Sequence, residues 1–596
     1  MAELQVKAWL ERLEKALQER DVDTAVELFE EEECFWRDLL AFTWNLYTAE
    51  SREEIRAMLA ATLDASQPSA WHIEAHVEED EATHVVQAFI RFETQQARCR
   101  GHLKLRAGKC WCLLTAMHEL KGFEEKAGPR RDVGLQHVCA KGRKTWLELR
   151  TEEVQELERS KEIYCVIVGG GQAGVALAAR LRRLGVPAII IEKNKRVGDT
   201  WRNRYRSLCL HSPVWYAHFP YMPFPDDWPV YISKDRMADW IEAYTEAMGL
   251  MYWTDTECKA AKYENERQRW EVRVEREGEE MVLHCKQLVL ATGMSGFPHV
   301  PTLKGAASFQ GVQIHSSQYR SGEEWADKQC VVVGSNNSAH DICADLWECG
   351  AASVTMLQRS PTQVIRYPAF AEAHVPFYCA DSKYSIPEAD LLLASCPYKL
   401  FPRLQAPLYK KFAAMDKPFY QGLEKAGFMH TFGEDHSGIF SMYYRRGSGF
   451  YVDVGASELV INGEIKLKCR VEVEEVKASS VVVSDGSEVK ADLIVYATGW
   501  SNMNAWAASF ISQDVADKVG KCWGLGSATL KDPGPWEREI RNMWKPTQVR
   551  NLWFHGGGFQ ETRHYSLYLA LQLKARLEGI STPVYGMPRV HHTSSV

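Results

Sequence analysis

Three glycines near residue 170 have the spacing of a turn that binds phosphate groups. Gly169, Gly171 and Gly174 form G-x-G-x-x-G in YCVIVGGGQAGVALAARL, between an apolar run of strand type and a helical pattern. The first glycine allows a tight bend, the second lets the backbone approach a pyrophosphate, and the third allows close packing of helix on strand. The N–H groups and the positive dipole end at the helix start hold the phosphates. The residues predicted to bind there are Gly169, Gly171, Gln172, Ala173 and Gly174.

The residues after this turn favour FAD over NAD as the ligand. Glu192 ends the second strand, 23 residues after Gly169, where a carboxylate can accept hydrogen bonds from ribose hydroxyls. Lys193 follows it and joins the candidate set. The segment 195–229 is rich in aromatic residues and arginine, so it can wrap a large flavin. We therefore predict a FAD site at the first turn.

A second turn of the same type lies in VVVGSNNSAHDIC, residues 331–343, but Asn336 stands where the second glycine is expected. Asn is enriched at positive φ, and its amide can donate to phosphate oxygens, so we expect Asn336 to narrow the backbone approach without closing it. Arg359 lies 25 residues after Gly334, and arginine there accommodates a 2′-phosphate and favours NADPH. A decayed, non-binding copy is the alternative. The predicted NADPH-binding residues are Gly334, Ser335, Asn336, Asn337, Ser338 and Arg359.

Two apolar strands that end in Ala-Thr-Gly bracket the second turn. They are LVLATGMSGFP at 288–298 and LIVYATGW at 493–500, which makes Thr498 and Gly499 candidate cofactor contacts. In flavoproteins with two dinucleotide domains, such strands lead from one domain into the other. The bracket predicts that an NADPH-binding domain, 326–490, is inserted into a FAD-binding domain made of 161–325 and 491–596.

Composition limits the class of protein. A chain of 596 residues suggests several domains, and 45% hydrophobic with 25% charged residues is ordinary for a globular protein. The formal charge of 71 − 79 = −8 gives no reason to expect binding to nucleic acid or to an anionic membrane. The N-terminus lacks a signal-peptide pattern, and the 16 cysteines show no paired zinc spacing. We expect a cytoplasmic protein without a metal site.

The flanking segments predict further units. Residues 1–125 change from helical to alternating patterns, which predicts an α+β domain, with helix continuing through AVELFEEEECFWRDLLAFTW. FWRDLLAFTW and WCLLTAMHEL resemble the NTF2-like fold, which implies a binding or dimerising accessory, such as a homodimer interface. Residues 126–160 read as a linker with a helix. Residues 366–450 leave the nucleotide-binding pattern and predict either a substrate-side lid or a packed insertion.

The chain resembles the flavin-containing monooxygenases in motifs between the two turns. Gly198, Trp201, Arg202 and Tyr205 match the family's G-x-x-W and following tyrosine, and 223–225 read Pro-Phe-Pro. The fingerprint FxGxxxHxxxY is formed by Phe309, Gly311, His315 and Tyr319.

This resemblance implies an α/β protein with two Rossmann-like domains, preceded here by the NTF2-like domain. It also implies that FAD reduced by NADPH reacts with O2 to give a C4a-hydroperoxide, which oxygenates a small organic substrate at N or S, or decarboxylates it oxidatively. Trp201, Arg202 and Leu208 are then expected to bind cofactor, whereas His315 is expected to be a packed, hydrogen-bonded connector residue.

Two more site residues follow from the resemblance. SLCLHSPV places His211 as in the L-H-x-P of plant indole-pyruvate monooxygenases, so His211 either helps to hold the oxygenated flavin or only contacts its ring. GGGFQETRH predicts a helix start facing the flavin pyrimidine edge, with Gly556 to Gly558, Gln560 and Arg563 as candidates.

Three other functions stay open. A Baeyer–Villiger monooxygenase usually has Trp where Tyr319 ends the fingerprint. A disulfide reductase needs a redox cysteine pair, and only Cys165 and Cys209 occur in the first FAD segment. A non-enzymatic binding protein with a vestigial flavin site is the alternative of another class.

Overall fold

The computed structural model describes residues 1–134, 139, 141–374, 377–527, 532, 534–588 and 590. Its N-terminal unit consists of α1 (Ala2–Gln18), α2 (Val22–Glu27), β1 (Phe35–Leu39), β2 (Leu46–Ala49), α3 (Arg52–Ser66), β3 (Ser69–Glu79), β4 (Val85–Glu93), β5 (Ala97–Arg106) and β6 (Lys109–Leu120). The six strands form one sheet in the order β2-β1-β6-β5-β4-β3. The predicted α+β character is confirmed, and the NTF2-like assignment stays a prediction.

The predicted helix through FWRDLLAFTW is wrong, because residues 35–39 form strand β1. Every residue of β1 is buried, since the strand lies between β2 and β6 and is covered on both faces. A strand buried on both faces has no alternating pattern, so periodicity cannot distinguish it from a buried helix.

The next part of the chain contains α4 (Trp146–Ser160), β7 (Glu162–Val168), α5 (Gln172–Arg183), β8 (Ala188–Ile191), α6 (Asp199–Arg202), α7 (Val214–Ala217), α8 (Lys234–Ala247), β9 (Tyr252–Trp253), β10 (Thr256–Glu264), β11 (Arg269–Arg276), β12 (Glu279–Leu290) and β13 (Ser295–Pro298). Sheet I has the strand order β10-β11-β12-β7-β8-β9. Strand β7 is parallel to both of its neighbours and feeds directly into the first glycine turn.

A second parallel sheet and a helical segment follow. Their elements are β14 (Val312–His315), β15 (Gln329–Val333), α9 (Asn337–Glu348), β16 (Ser353–Gln358), β17 (Gln363–Arg366), α10 (Tyr367–His374), α11 (Ile386–Ala394), α12 (Phe401–Met415), α13 (Lys417–Lys425), α14 (Gly438–Arg446), β18 (Phe450–Asp453), α15 (Ala456–Ile461), β19 (Ile465–Cys469), β20 (Val473–Lys477), β21 (Ser480–Val483), β22 (Glu488–Lys490) and β23 (Leu493–Tyr496). Sheet II has the order β14-β23-β15-β16-β19.

The chain then returns to sheet I through β24 (Trp500–Asn502), α16 (Ala505–Phe510), α17 (Gln513–Val519), β25 (Leu552–Phe554) and α18 (Phe559–Leu577). Strand β25 pairs in parallel with β12, and the two crossing segments β13 and β24 pair with each other. This topology supports the proposed insertion of one nucleotide-binding domain into the other. Among the described residues, no helix is both long enough and apolar enough to cross a membrane.

Helices α10 to α14 lie between strands β17 and β18, which pair with each other in parallel. The segment predicted as an insertion at 366–450 therefore leaves and returns at neighbouring points of the fold. Its helix α14 reaches the end of β12, where Tyr443 Oη lies 3.4 Å from Met294 Sδ.

The N-terminal unit packs on the rest of the chain through a buried polar interface. Arg37 of β1 donates from Nε and Nη2 to the two carboxylate oxygens of Glu539 at 2.7 Å each, and both side chains are 2% exposed. Its Nη1 donates to the carbonyl of Ala394 at the end of α11, at 2.7 Å. Tyr565 of α18 accepts a further bond from Arg37 at 3.1 Å. The face of β1 that carries Arg37 is thus covered by the same chain. A homodimer through the N-terminal unit, as predicted, would have to form at another face of that unit.

Candidate functional site

The first glycine turn has the geometry of a dinucleotide cradle. Gly169 has φ +109°, and a Cβ there would lie 2.5 Å from the carbonyl oxygen of Ala291. A Cβ on Gly174 would lie 2.1 Å from the Gly169 carbonyl oxygen, so helix α5 can approach β7 only without that side chain. Gly171 is the N-cap of α5, and Gln172 and Ala173 form its first turn. The N–H groups of this helix start are therefore placed to receive a pyrophosphate.

Glu192 holds the turn in place. It is 6% exposed and accepts three hydrogen bonds, from the backbone N–H of Gly170 at 2.9 Å and from the backbone N–H and side-chain amide of Asn194 at 2.9 and 2.6 Å. An ionised carboxylate has about four acceptor positions, so Glu192 can still receive a ribose hydroxyl. Lys193, the next residue, is exposed.

The aromatic segment after β8 closes over this turn. Trp201 is buried, donates from Nε1 to Gln172 Oε1 at 3.2 Å, and stacks on Phe559 with ring centroids 5.4 Å apart. Arg202 forms ion pairs with Asp199 and Asp239, so its guanidinium is partly neutralised by the protein. The structure thus places Trp201 against the first turn and directs Arg202 to carboxylates.

The second turn repeats the backbone of the first. Gly334 has φ +130°, and a Cβ there would lie 2.5 Å from the carbonyl oxygen of Ala497. Asn336 is the N-cap of α9 with φ −93° and ψ −170°, close to the −76° and −168° of Gly171. The expectation that Asn336 needs a tolerance of positive φ is therefore wrong. Any L-residue can adopt this extended backbone, so the missing glycine does not distort the turn.

Side chains around the second turn orient its polar groups. Thr362 Oγ1 donates to Asn336 Oδ1 at 3.2 Å, which leaves the amide nitrogen of Asn336 as the group suited to donate to a phosphate. Ser335 is within 2.8 Å of the same threonine hydroxyl. Asn337 accepts from the backbone N–H of Val452 at 3.0 Å. Ser338 lies in the first turn of α9.

Arg359 lies at the carboxyl end of β16 with 74% of its side chain exposed. Its nearest acid is Glu472, at 3.8 Å, and exposed pairs of this kind are weak. The guanidinium can therefore exchange that partner for a ligand phosphate.

The residues after β23 contact the segment that connects the two nucleotide-binding domains. The hydroxyl of Thr498 donates to the carbonyl of His299, and the carbonyl of Gly499 lies 3.0 Å from His315 Nε2. His315 is 1% exposed and also lies 3.0 Å from Ser317 Oγ, which confirms the packed, hydrogen-bonded reading. It is Ala497, the residue before Thr498, that touches the second turn.

A cavity of about 460 Å³ lies between the two nucleotide-binding units. Leu208 and His211 line it from the first unit, and Asp341 of α9 lines it from the second. Tyr205 donates to Asp341 Oδ2 at 2.6 Å across this boundary. Burial lowers the pKa of His211 below its ordinary value, against a smaller opposite effect of Asp341. His211 is therefore a neutral imidazole near pH 7 that can donate or accept a hydrogen bond.

Helix α18 starts beside the first turn, with Gly558 as its N-cap. The side-chain amide of Gln172 lies 3.4 Å from the Gly557 carbonyl, and Gln560 is 2% exposed. The proposed role of Arg563 toward the flavin is not supported, because its guanidinium forks onto Asp390 at 2.8 and 2.7 Å. Sequence reasoning missed this pair because Asp390 lies 173 residues away along the chain.

These groups fit two dinucleotides. In each turn the first glycine has no room for a side chain, because an added Cβ would clash with a backbone carbonyl oxygen. Each turn leads directly into the start of a helix. Two buried groups beside the first turn, Thr292 Oγ1 and the Glu561 carboxylate, lack a hydrogen-bond partner among the described residues. Fold and site define a flavoprotein oxidoreductase with two dinucleotide-binding domains.

Comparisons with known proteins narrow this class. The family model described as pyridine nucleotide-disulphide oxidoreductase matches residues 166–369. Indole-3-pyruvate monooxygenase YUCCA1 of Oryza sativa subsp. japonica is 32% identical over 343 residues, covering 57% of this chain and 78% of the relative. Indole-3-pyruvate monooxygenase YUCCA8 of Oryza sativa subsp. indica is 30% identical over 371 residues, covering 61% and 82%.

Two solved structures share the fold. Caprolactone-bound cyclohexanone monooxygenase has a TM-score of 0.51 at 18% identity, covering 70% of this chain and 88% of the other. OTEMO in complex with FAD and NADP has a TM-score of 0.50 at 20% identity, covering 70% and 85%. The protein belongs to the flavin-containing monooxygenase family and is an oxidoreductase.

The disulphide chemistry in the name of the family model has no counterpart at the first turn. Cys165 is buried inside β7, and Cys209 is exposed on the loop after Leu208. Both are free thiols.

Proposed function

We propose that the protein binds FAD at the first turn and NADPH at the second, and oxygenates a small organic substrate at N or S or decarboxylates it oxidatively. The observation that carries the proposal is the duplicated turn. Gly169 and Gly334 both have a positive φ, and each packs against the alanine carbonyl of an Ala-Thr-Gly segment. The plant relatives are named indole-3-pyruvate monooxygenases, and OTEMO was solved with FAD and NADP, which supports both the reaction class and the cofactor pair.

Bound FAD would supply the oxygen-activating redox chemistry, and the chain would supply binding, orientation and dryness. The helix starts after Gly171 and Asn336 would hold the two pyrophosphates. Arg359 would pair with the 2′-phosphate of NADPH.

His211 is proposed to position the reacting groups. It faces the cavity between the two nucleotide units as a neutral imidazole, so it can hold a hydrogen bond without adding a charge. The insertion contributes Tyr367 to the same cavity, and closing that side would exclude the water that diverts oxygen to hydrogen peroxide.

The test measures three quantities on the purified protein: NADPH oxidation, O2 uptake and hydrogen peroxide release. Amines, sulfides, 2-oxo acids and ketones are added in turn. We expect a yellow protein that oxidises NADPH, and an amine, sulfide or 2-oxo acid that raises NADPH oxidation while lowering peroxide release. A colourless protein that does not oxidise NADPH contradicts the proposal, and turnover of ketones alone makes it a Baeyer–Villiger enzyme.

His211→Ala tests the positioning role. We expect unchanged flavin content and a larger fraction of NADPH electrons lost to peroxide. Unchanged coupling removes His211 from the reacting centre.

A further inference from the structure

Helix α18 begins with a buried carboxylate that the proposed mechanism does not use. Glu561 is the third residue of the helix and is 1% exposed. Neither of its carboxylate oxygens has a hydrogen-bond partner among the described residues. Such a group is costly, since burying a polar atom without a partner forfeits its bonds to water.

Other buried carboxylates in the same region are satisfied. Asp390 receives two bonds from Arg563 and one from Tyr378 at 2.8 Å, and Arg563 helps to lower its pKa although burial acts in the opposite direction. For Glu561, burial is the largest effect and raises the pKa to about 7, because the nearby N–H groups and the Tyr443 hydroxyl offset only part of it. The protein therefore gives Asp390 a charged donor, whereas the groups near Glu561 are neutral donors that do not reach hydrogen-bond geometry.

Glu561 lies where three parts of the FAD cradle meet. A Cβ on Gly558 would lie 2.8 Å from Glu561 Oε2 and 3.4 Å from the hydroxyl of Tyr443. That hydroxyl accepts from the Gly558 N–H at 3.0 Å and lies 3.4 Å from Met294 Sδ, just past the end of β12. On the other side, the carbonyl of Gly557 lies 3.4 Å from the amide nitrogen of Gln172 in the first turn.

The nearest cation on the helix gives Glu561 no charged donor, which leaves a bound ligand to provide one. Arg563, the nearest cation on the same helix, is occupied by Asp390 and by the carbonyls of Tyr216 and His218. Oxidised isoalloxazine has one ring N–H, at N3 of its pyrimidine ring, and its other edge heteroatoms are acceptors. A carboxylate at that edge can therefore pair only with N3–H.

We propose that the Glu561 carboxylate accepts the N3–H of the bound flavin and so selects an N3-unsubstituted isoalloxazine. This inference rests on the proposed FAD site, and it adds a specific acceptor to the helix start. Glu561 is then a cofactor-binding residue, and bound FAD donates the hydrogen bond that its carboxylate lacks in the apoprotein.

The test compares the binding of FAD and of 3-methyl-FAD, in which a methyl group replaces the N3 proton, to the apoprotein by quenching of flavin fluorescence. A hydrogen bond to a charged group is worth about a 10- to 100-fold change in Kd, so wild type should prefer FAD by about that factor. Glu561→Gln keeps the side-chain volume and an acceptor oxygen but loses the charge, so the preference should fall several-fold. Glu578→Gln, the same change at the other end of α18, should leave it unchanged.

A second measurement separates hydrogen bonding from steric exclusion of the methyl group. With FAD labelled with ¹⁵N at N3, the N3 proton should resonate downfield and exchange slowly in wild type, and should shift upfield in Glu561→Gln. If Glu561→Gln keeps the full preference and an unshifted N3 proton, the inference is wrong while the FAD site stands. If wild-type apoprotein binds neither flavin, the proposed function fails with it.

Discussion

Replacing Arg37 tests whether the N-terminal unit is an integral part of the enzyme. Arg37→Met removes both bonds to Glu539 and the bonds to the Ala394 carbonyl and the Tyr565 hydroxyl. Glu539 would then keep Thr48 Oγ1, at 2.7 Å, as a neutral donor inside the protein. Removing one partner of a buried ion pair costs about 3 to 5 kcal/mol, because the other charge stays buried without compensation.

Two features of the interface refine this magnitude. Glu539 acts on the pKa of buried Lys545, so the two side chains are close. In Arg37→Met, the Lys545 ammonium can therefore partly compensate the Glu539 carboxylate, which brings the loss of unfolding free energy toward the lower end of that range. Arg37→Lys keeps the positive charge but loses the planar guanidinium that bonds both carboxylate oxygens. It should therefore lower the free energy of unfolding by less than Arg37→Met does. Arg56→Met is the matched control, because Arg56 pairs with Asp23 at 2.9 Å on the surface of the same unit, where a pair is worth at most about 1 kcal/mol.

The assay is urea unfolding followed by tryptophan fluorescence, together with limited proteolysis of the linker between β6 and α4. We expect Arg37→Met to lower the free energy of unfolding by about 3 kcal/mol and to speed cleavage of the linker, because the interface with α11 and α18 opens. Equal unfolding free energies for Arg37→Met and Arg56→Met, within about 0.5 kcal/mol, would refute the reasoning.

Three further predictions concern the cofactor sites. Gly169→Ala should abolish FAD retention, because the φ of Gly169 is +109° and an added Cβ would lie 2.5 Å from a backbone carbonyl oxygen. Gly171→Ala is the control: its Cβ would meet nothing nearer than 3.5 Å, so this variant should still fold and bind FAD more weakly. Equal FAD content in the two variants would contradict the prediction. Arg359→Ala should lower the kcat/KM ratio of NADPH over NADH by about tenfold or more, and an unchanged ratio removes the 2′-phosphate assignment. In the apoprotein, the Glu561 pKa of about 7 exceeds its ordinary 4.5, so the burial penalty is absent below pH 4.5 and complete above pH 7. Glu561→Gln should therefore raise the free energy of unfolding by up to about 3 kcal/mol at pH 8 and change it little at pH 4.5, as measured by urea unfolding at both values.

Local sequence determined the two turns and the motifs between them. The positive φ of Gly169 and Gly334 follows from steric rules that act within a few residues, so the spacing of glycines after an apolar strand was enough to locate them. The helical face of α1 and the strand character of β3 to β6 are local in the same sense, and both are confirmed. The family motifs from Gly198 to Tyr319 likewise identified the class from short stretches of chain.

Tertiary structure decided which partners those residues meet. Arg37 and Glu539 are 502 residues apart, and Arg563 and Asp390 are 173 apart, so no local pattern pairs them. Strand β1 reads as helix in the sequence because both of its faces are covered, one of them by distant parts of the chain. Glu561 looks like an ordinary acidic residue in the first turn of a helix. Only packing, which removes it from water while the nearby Arg563 is paired with Asp390, makes it a carboxylate in need of a donor.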